Sequence, residues 1–84
     1  MDERRFALEW DRPSLPGALT HVSLFDGGTD PLHVVASGHG RGDAGALRDL
    51  AQTLKSSRES DDAIAFVSEA YAATISRVPI HSSR

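Results

Sequence analysis

The chain has 84 residues and a mass of 9.0 kDa, a formal net charge of −3, a pI of about 5.7 and no cysteine. This length predicts one small domain over residues 1–84. The acidic balance makes nucleic acid an unfavourable ligand, and the lack of cysteine excludes disulfides and thiolate metal sites. With no apolar run of about 18 residues and no apolar segment after the charged start, we expect a cytoplasmic protein without a membrane segment.

The first half of the chain alternates apolar and polar residues with a period of two, which predicts β-strands. The alternation is clearest over Arg5–Asp11, and Ala18–Phe25 and Leu32–Ser37 have a similar composition. Prolines and glycines separate these segments, with a strong turn signal at Asp26–Pro31. The sequence therefore predicts three consecutive antiparallel strands.

The pattern also predicts a register for the second and third strands. Pairing Leu24 with Val34 and Val22 with Ala36 gives one apolar face, which also carries Leu32. A one-residue slip would move every side chain to the other face, so this register is preferred. The opposite face then carries a mixed set of side chains: His21, Ser23, Phe25, His33, Val35 and Ser37.

The second half of the chain has helical periodicity. Asp43 is the predicted N-cap of a first helix, whose apolar positions follow at i, i+3, i+4 and i+7 as far as Leu54. Ser60 is the predicted N-cap of a second helix over Asp61–Arg77, with acidic residues in its first turn. The second helix has an apolar stripe made of Ile64, Val67, Tyr71, Ile75 and Val78.

These elements predict an α+β fold in the order β-β-β-α-α. A three-stranded sheet with one apolar face needs a cover, and the two C-terminal helices are the elements available to provide it. We therefore expect a two-layer sandwich, in which a three-stranded antiparallel meander is followed by two helices packed on one face. Pro79–Arg84 is expected to be a flexible tail.

The segment Gly40–Gly45 matches G-x-G-x-x-G between a strand and a helix, which is the local context of a dinucleotide site. No second parallel strand is predicted after the helix, so we expect no cofactor. We interpret the glycines as a connection that needs a positive φ at one or two positions. An anion held by the helix N-terminus beside Arg41 is the alternative interpretation.

No spacing among the polar residues indicates catalysis or metal binding. The four histidines are His21, His33, His39 and His81, and a zinc or nickel site needs three or four convergent ligands. In the predicted register His21 and His33 are separated by more than about 10 Å. His21 and His39 could approach diagonally and be joined by Asp or Glu, but histidines on a solvated sheet face are the preferred interpretation. We therefore expect neither a metal site nor an enzyme.

One family resemblance is carried by the glycines and by the first helix. Its residues are Ala36, Ser37, Gly38, Gly40, Ala46, Leu47, Leu50, Ala51 and Leu54. Three strands, a glycine-containing turn and this helix face, over roughly Arg5–Leu54, resemble the double-stranded-RNA-binding-domain family. That family holds phosphates with lysines at the start of the helix, where this chain has Gly42–Ala46. The resemblance therefore implies the shape of the family without its RNA binding.

Two functions are compatible with these features. The first is a small noncatalytic interaction module that binds an unknown protein or a second copy of itself; its interface residues would be Phe25, His33 and Val35. The second is a weak or degenerate nucleic-acid-binding domain; its phosphate contacts would be Arg41, Arg48 and Lys55. The acidic net charge favours the first function.

Overall fold

The structure, a computed structural model, describes residues 6–27 and 33–76. Its elements are β1 (Phe6–Asp11), β2 (Thr20–Asp26), β3 (His33–Gly40), α1 (Gly42–Ser56) and α2 (Asp61–Ser76). The strands form one antiparallel sheet in the order β1-β2-β3. The predicted α+β fold, a three-stranded meander followed by two helices, is confirmed.

Some sequence predictions concern positions outside the described residues. These are Arg5, most of the Asp26–Pro31 turn, Leu32, Arg77, Val78, His81 and the Pro79–Arg84 tail. Within the described ranges, the strand and helix boundaries agree with the predictions to within about three residues. The largest difference is at β3, which continues to Gly40.

The hydrophobic core lies between the sheet and the helices. The apolar spacing in α1 places its leucines on one face, and this face packs over β2 and β3. α2 packs mainly against α1 and contributes two small buried side chains. The fully buried core residues are Val22, Leu24, Ala46, Leu47, Leu50, Leu54, Ala63 and Val67. Each buried leucine contributes roughly 1.5–3 kcal/mol through removal of apolar surface from water.

β2 and β3 pair in a register that differs by two residues from the predicted one. Leu24 pairs with Ala36 rather than with Val34, and Val22 pairs with Gly38. A shift of two residues keeps each side chain on its predicted face, because side chains alternate with a period of two. A β-bulge then interrupts the alternation: between the pairs Leu24–Ala36 and Phe25–Val34, β3 has one extra residue, Val35.

The bulge reverses the predicted faces at the start of β3. Val35 has no partner in β2 and packs against the core, whereas Val34 pairs with Phe25 on the face away from the helices and is 49% exposed. His33 pairs with Asp26, so it lies on the opposite face from Phe25, exposed at the end of the strand. The predictions that placed Val35 and His33 beside Phe25 are therefore wrong, because one extra residue shifts the phase of the strand.

α1 passes directly over the last residues of β3. A Cβ atom at Gly38 would lie 2.4 Å from the backbone nitrogen of Leu50. A Cβ atom at Gly40 would lie 2.6 Å from the carbonyl carbon of Gly45. Two glycines of the G-x-G-x-x-G match, Gly40 and Gly45, thus allow close packing of a strand against a helix.

The two helices begin differently. The N-cap of α1 is Arg41, whose side chain makes no capping hydrogen bond, so the prediction of Asp43 as the N-cap is wrong. The predicted need for a positive φ is confirmed at Gly42, where φ is +71°. At α2 the Ala63 N–H donates to Ser60 Oγ at 3.2 Å, which confirms the predicted N-cap.

Candidate interaction surfaces

The face of the sheet away from the helices is here called the open face. Its side chains are Ala7, Glu9, Asp11, His21, Ser23, Phe25, Val34, Ser37 and His39. The strand pairings arrange them in three rows across the sheet, one apolar row and two polar rows. This arrangement makes one end of the open face suited to apolar contact and the other end suited to hydrogen bonding.

The apolar row consists of Ala7, Phe25 and Val34. Phe25 lies between the other two and is half-buried. A shallow groove of about 150 Å³ adjoins the row and is lined by Ala7, Leu8, Glu9, Phe25 and Gly27. Exposed apolar residues gathered in one patch are typical of a contact surface, whereas a single exposed residue is common on any protein.

The two polar rows contain paired side chains. The hydroxyls of Ser23 and Ser37 lie 3.1 Å apart. The rings of His21 and His39 stack with their centroids 5.3 Å apart, because these residues pair directly across β2 and β3. The predicted register, with Val22 opposite Ala36, would have placed Ser37 opposite His21, and this pairing is wrong by two residues.

The histidine pair is not arranged as a metal site. Imidazole lone pairs lie in the ring plane, so the nitrogens of stacked rings do not point to a common centre. In residues 6–27 and 33–76, no three His, Cys, Asp or Glu side chains are placed to hold a metal ion. The pair instead offers polar ring edges to the solvent.

The start of α1 is occupied by an internal ion pair. Arg12 Nε and Nη2 each donate to a carboxylate oxygen of Asp43 at 2.9 Å. The guanidinium carbon also lies 4.4 Å from the centroid of the Trp10 ring. The hydrogen bond to Asp43 raises the pKa of Arg12 above its ordinary value. The Asp43 carboxylate therefore connects the end of β1 to the start of α1.

Two of the three predicted cations lie on one side of α1. Arg48 and Lys55 are seven residues apart within the helix, which separates them by about 10 Å along its axis. Arg41 is the extended N-cap residue before Gly42, so helical spacing does not place it with them. Arg48 and Lys55 line a groove of about 250 Å³ between the helices, together with Ala51, Gln52, Ser68 and Tyr71. No acidic side chain in the described parts of the chain forms an ion pair with Arg48 or Lys55.

Sequence reasoning found Phe25, Arg48 and Lys55 but missed three of their neighbours. Val34 was assigned to the core because the bulge has no clear signal in an apolar run. Ala7 is too small to attract notice by itself. Tyr71 was assigned to an apolar stripe, although the packing of α2 on α1 places it beside two cations.

Comparison with known proteins adds no relative to this description. No protein-family model, no curated protein and no solved structure matches the chain. Within the described residues, neither helix is long and apolar enough to cross a membrane. The functional argument therefore depends on the surfaces themselves.

Proposed function

We propose that the protein is a small noncatalytic interaction module of the cytoplasm, which binds another protein through the open face of its sheet. The observation that supports this proposal is the apolar row, in which Val34 is 49% exposed beside Phe25 on paired strands. A partner that covers this row would remove apolar surface from water, which stabilises a complex by about 25 cal/mol for each Å² buried. The cytoplasm is proposed because small secreted domains are usually rich in disulfides, and this chain has no cysteine.

The shape of the open face favours a protein over a small molecule as the partner. The groove beside Phe25 measures about 150 Å³, which is smaller than the roughly 300–1,000 Å³ of ordinary ligand pockets. The serine and histidine pairs border the apolar row with polar groups. An apolar patch with polar groups beside it is typical of protein interfaces.

Site-specific photo-crosslinking in host cells tests this proposal. A benzoylphenylalanine placed at residue 34 should capture a partner, and the same group at Gln52 in the groove between the helices should not. Substitution Val34→Asp should lower partner capture about tenfold. Ile75→Asp is the matched control, since Ile75 is 45% exposed and lies on α2. Capture from residue 52 alone, or equal loss in the two variants, would contradict the proposal.

A second copy of the chain is one form of this partner. Sedimentation velocity of the full chain distinguishes it, because a symmetric dimer has twice the 9.0 kDa chain mass. If the partner is a second copy, Val34→Asp should return the dimer to a monomer. A dimer that is unchanged by Val34→Asp would place self-association on another surface.

A second candidate function is weak nucleic-acid binding by a domain of double-stranded-RNA-binding-like shape. It is supported by Arg48 and Lys55, which share a groove with Tyr71, since cations beside an aromatic ring suit phosphates and stacked bases. A gel shift with double-stranded RNA and with DNA at low salt tests it. Complex formation that is lost in the Arg48→Ala, Lys55→Ala double variant would favour this function.

A further inference from the structure

We propose that the outer edge of β1, the side away from β2, accepts a basic extended segment of the partner protein as a fourth strand. The inference rests on the proposed function, because it names the element by which a protein partner would bind beside the open face. Addition of a strand to an exposed sheet edge is a common mode of peptide recognition. Three features of β1 support it.

The first feature is an open edge. Among the described residues, β1 pairs only with β2, so half of its backbone groups point away from the sheet. Its sequence contains no proline, lysine or bulge, which are among the devices that protect natural edges from pairing. Its two charged side chains, Glu9 and Asp11, disfavour acidic segments and not basic ones. The other edge strand, β3, is protected in two ways. It has a bulge, and the backbone N–H of His39 donates to Asp49 Oδ2 at 3.0 Å.

The second feature is incomplete cover above β1. Phe6, Leu8 and Trp10 face the helix side but are half-buried, whereas Val22 and Leu24 in the neighbouring strand are 0% exposed. The reason is that α1 lies over β2 and β3, and α2 packs chiefly on α1. α2 contacts β1 through the Phe66 ring, 5.5 Å from the Phe6 ring. Apolar side chains of an added strand would complete the burial of this row.

The third feature is the charge around this edge. Glu9 and Asp11 are exposed on the open face of β1. Asp62 and Glu69 line a groove of about 290 Å³ between α2 and the start of β1. None of these four carboxylates forms an ion pair with another described residue. An added strand would therefore meet acidic groups on both faces of the sheet.

This charge identifies the occupant as a basic segment. Lysine or arginine side chains, alternating with apolar ones, would lie opposite Glu9 and Asp11 while the apolar ones lie beside Leu8 and Trp10. A second copy of the chain fits this edge poorly, because its own β1 would bring the same four acidic groups to the contact. Like charges placed together across an interface are unfavourable.

The probe is the capped peptide KVKVKVK, titrated into the full chain and followed by amide NMR. The amides of Phe6–Asp11 should shift most and exchange more slowly with solvent. The acidic peptide EVEVEVE should bind at least about tenfold more weakly. Two further peptides carry N-methyl groups on the valines or on the lysines. One should lose affinity about tenfold and the other should retain it, because only one edge of an added strand is hydrogen-bonded.

Protein variants complete the test. Glu9→Lys should weaken KVKVKVK binding about tenfold, whereas Asp61→Lys, the same charge change at an exposed position of α2, should not. Equal binding of the basic and acidic peptides, or retained affinity for both N-methylated peptides, would overturn the inference. If residue 34 still captures a partner while KVKVKVK leaves β1 unchanged, this inference fails and the proposed function stands. If residue 34 captures nothing, the proposed function itself fails.

Discussion

Gly38 is packed more tightly than Gly40, Gly42 or Gly45, since an added Cβ would lie 2.4 Å from the backbone of α1. We expect Gly38→Ala to destabilise the protein by about 3 kcal/mol, because strand and helix must move apart. Urea unfolding measures the loss. A chain of this length has a total stability of only about 4–13 kcal/mol, so the effect should be large.

Gly42→Ala is the comparison variant. A Cβ at Gly42 meets no atom within 4 Å, but the residue has a φ of +71°. Its substitution should therefore cost about 1 kcal/mol from backbone conformation alone. Equal losses in Gly38→Ala and Gly42→Ala would show that crowding by α1 is not the cause at Gly38.

Arg58 occupies a position that glycine usually fills. At the end of α1, the Arg58 N–H donates to the Lys55 carbonyl at 3.2 Å and the Glu59 N–H donates to the Leu54 carbonyl at 3.0 Å. These are the two hydrogen bonds of a Schellman motif, and Arg58 has the left-handed φ of +57°. We expect Arg58→Gly to stabilise the protein by about 1 kcal/mol.

The matched control is Arg58→Ala, which removes the side chain and keeps the strained backbone. It should change the free energy of unfolding by less than about 0.5 kcal/mol. Thermal and urea unfolding of the three proteins measure the difference. An equal gain in both variants would assign the effect to the arginine side chain and not to φ.

At single positions, the sequence predicts local contacts better than distant ones. Ser60 was identified correctly because its capping contact, with Ala63, is three residues away. Asp43 was assigned to the same role, but it binds Arg12, which is 31 residues distant. A pattern of capping residues contains no information about such a long-range partner.

At the scale of elements, the ion pair between Arg12 and Asp43 joins the end of β1 to the start of α1. A double-mutant cycle with Arg12→Ala and Asp43→Ala should give a favourable coupling at low salt. The coupling should largely disappear at about 1 M salt, because ions screen exposed charges over about 3 Å there. Arg12→Lys should lose most of it, since lysine cannot make both hydrogen bonds.

Two outcomes of this cycle would contradict that account. Zero coupling at low salt would mean that the pair does not hold β1 and α1 together. A coupling that is unchanged by salt would mean that the attraction between the two charges does not carry the effect, since the cycle cancels the contact of Arg12 with Trp10.

The elements themselves were largely predictable from periodicity. Strand alternation and helical spacing identified all five, and the faces of β2 were assigned correctly because polar and apolar residues alternate there. The start of β3 was not predictable, since Val34, Val35 and Ala36 are all apolar. In such a run the sequence does not show which residue the bulge leaves unpaired.

For the whole molecule, the sequence could predict that the helices pack on one face of the sheet. It could not predict that they cover β2 and β3 more completely than β1, because the pattern does not indicate which strands lie under the helices. The close contact of Gly38 with α1 draws that helix over β3 and leaves Leu8 and Trp10 half-buried. The cations of α1 and the acidic groups around β1 consequently lie on separate surfaces. The small net charge of −3 does not indicate this separation.

Hydrogen exchange of the backbone amides tests most directly whether the outer edge of β1 is unpaired in the isolated chain. The amides of β2, which pairs on both sides, should exchange only through global unfolding. Alternate amides of β1 should exchange at least about 100-fold faster, because they have no hydrogen-bond partner in the sheet. Uniform protection of all β1 amides at the level of β2 would contradict the account.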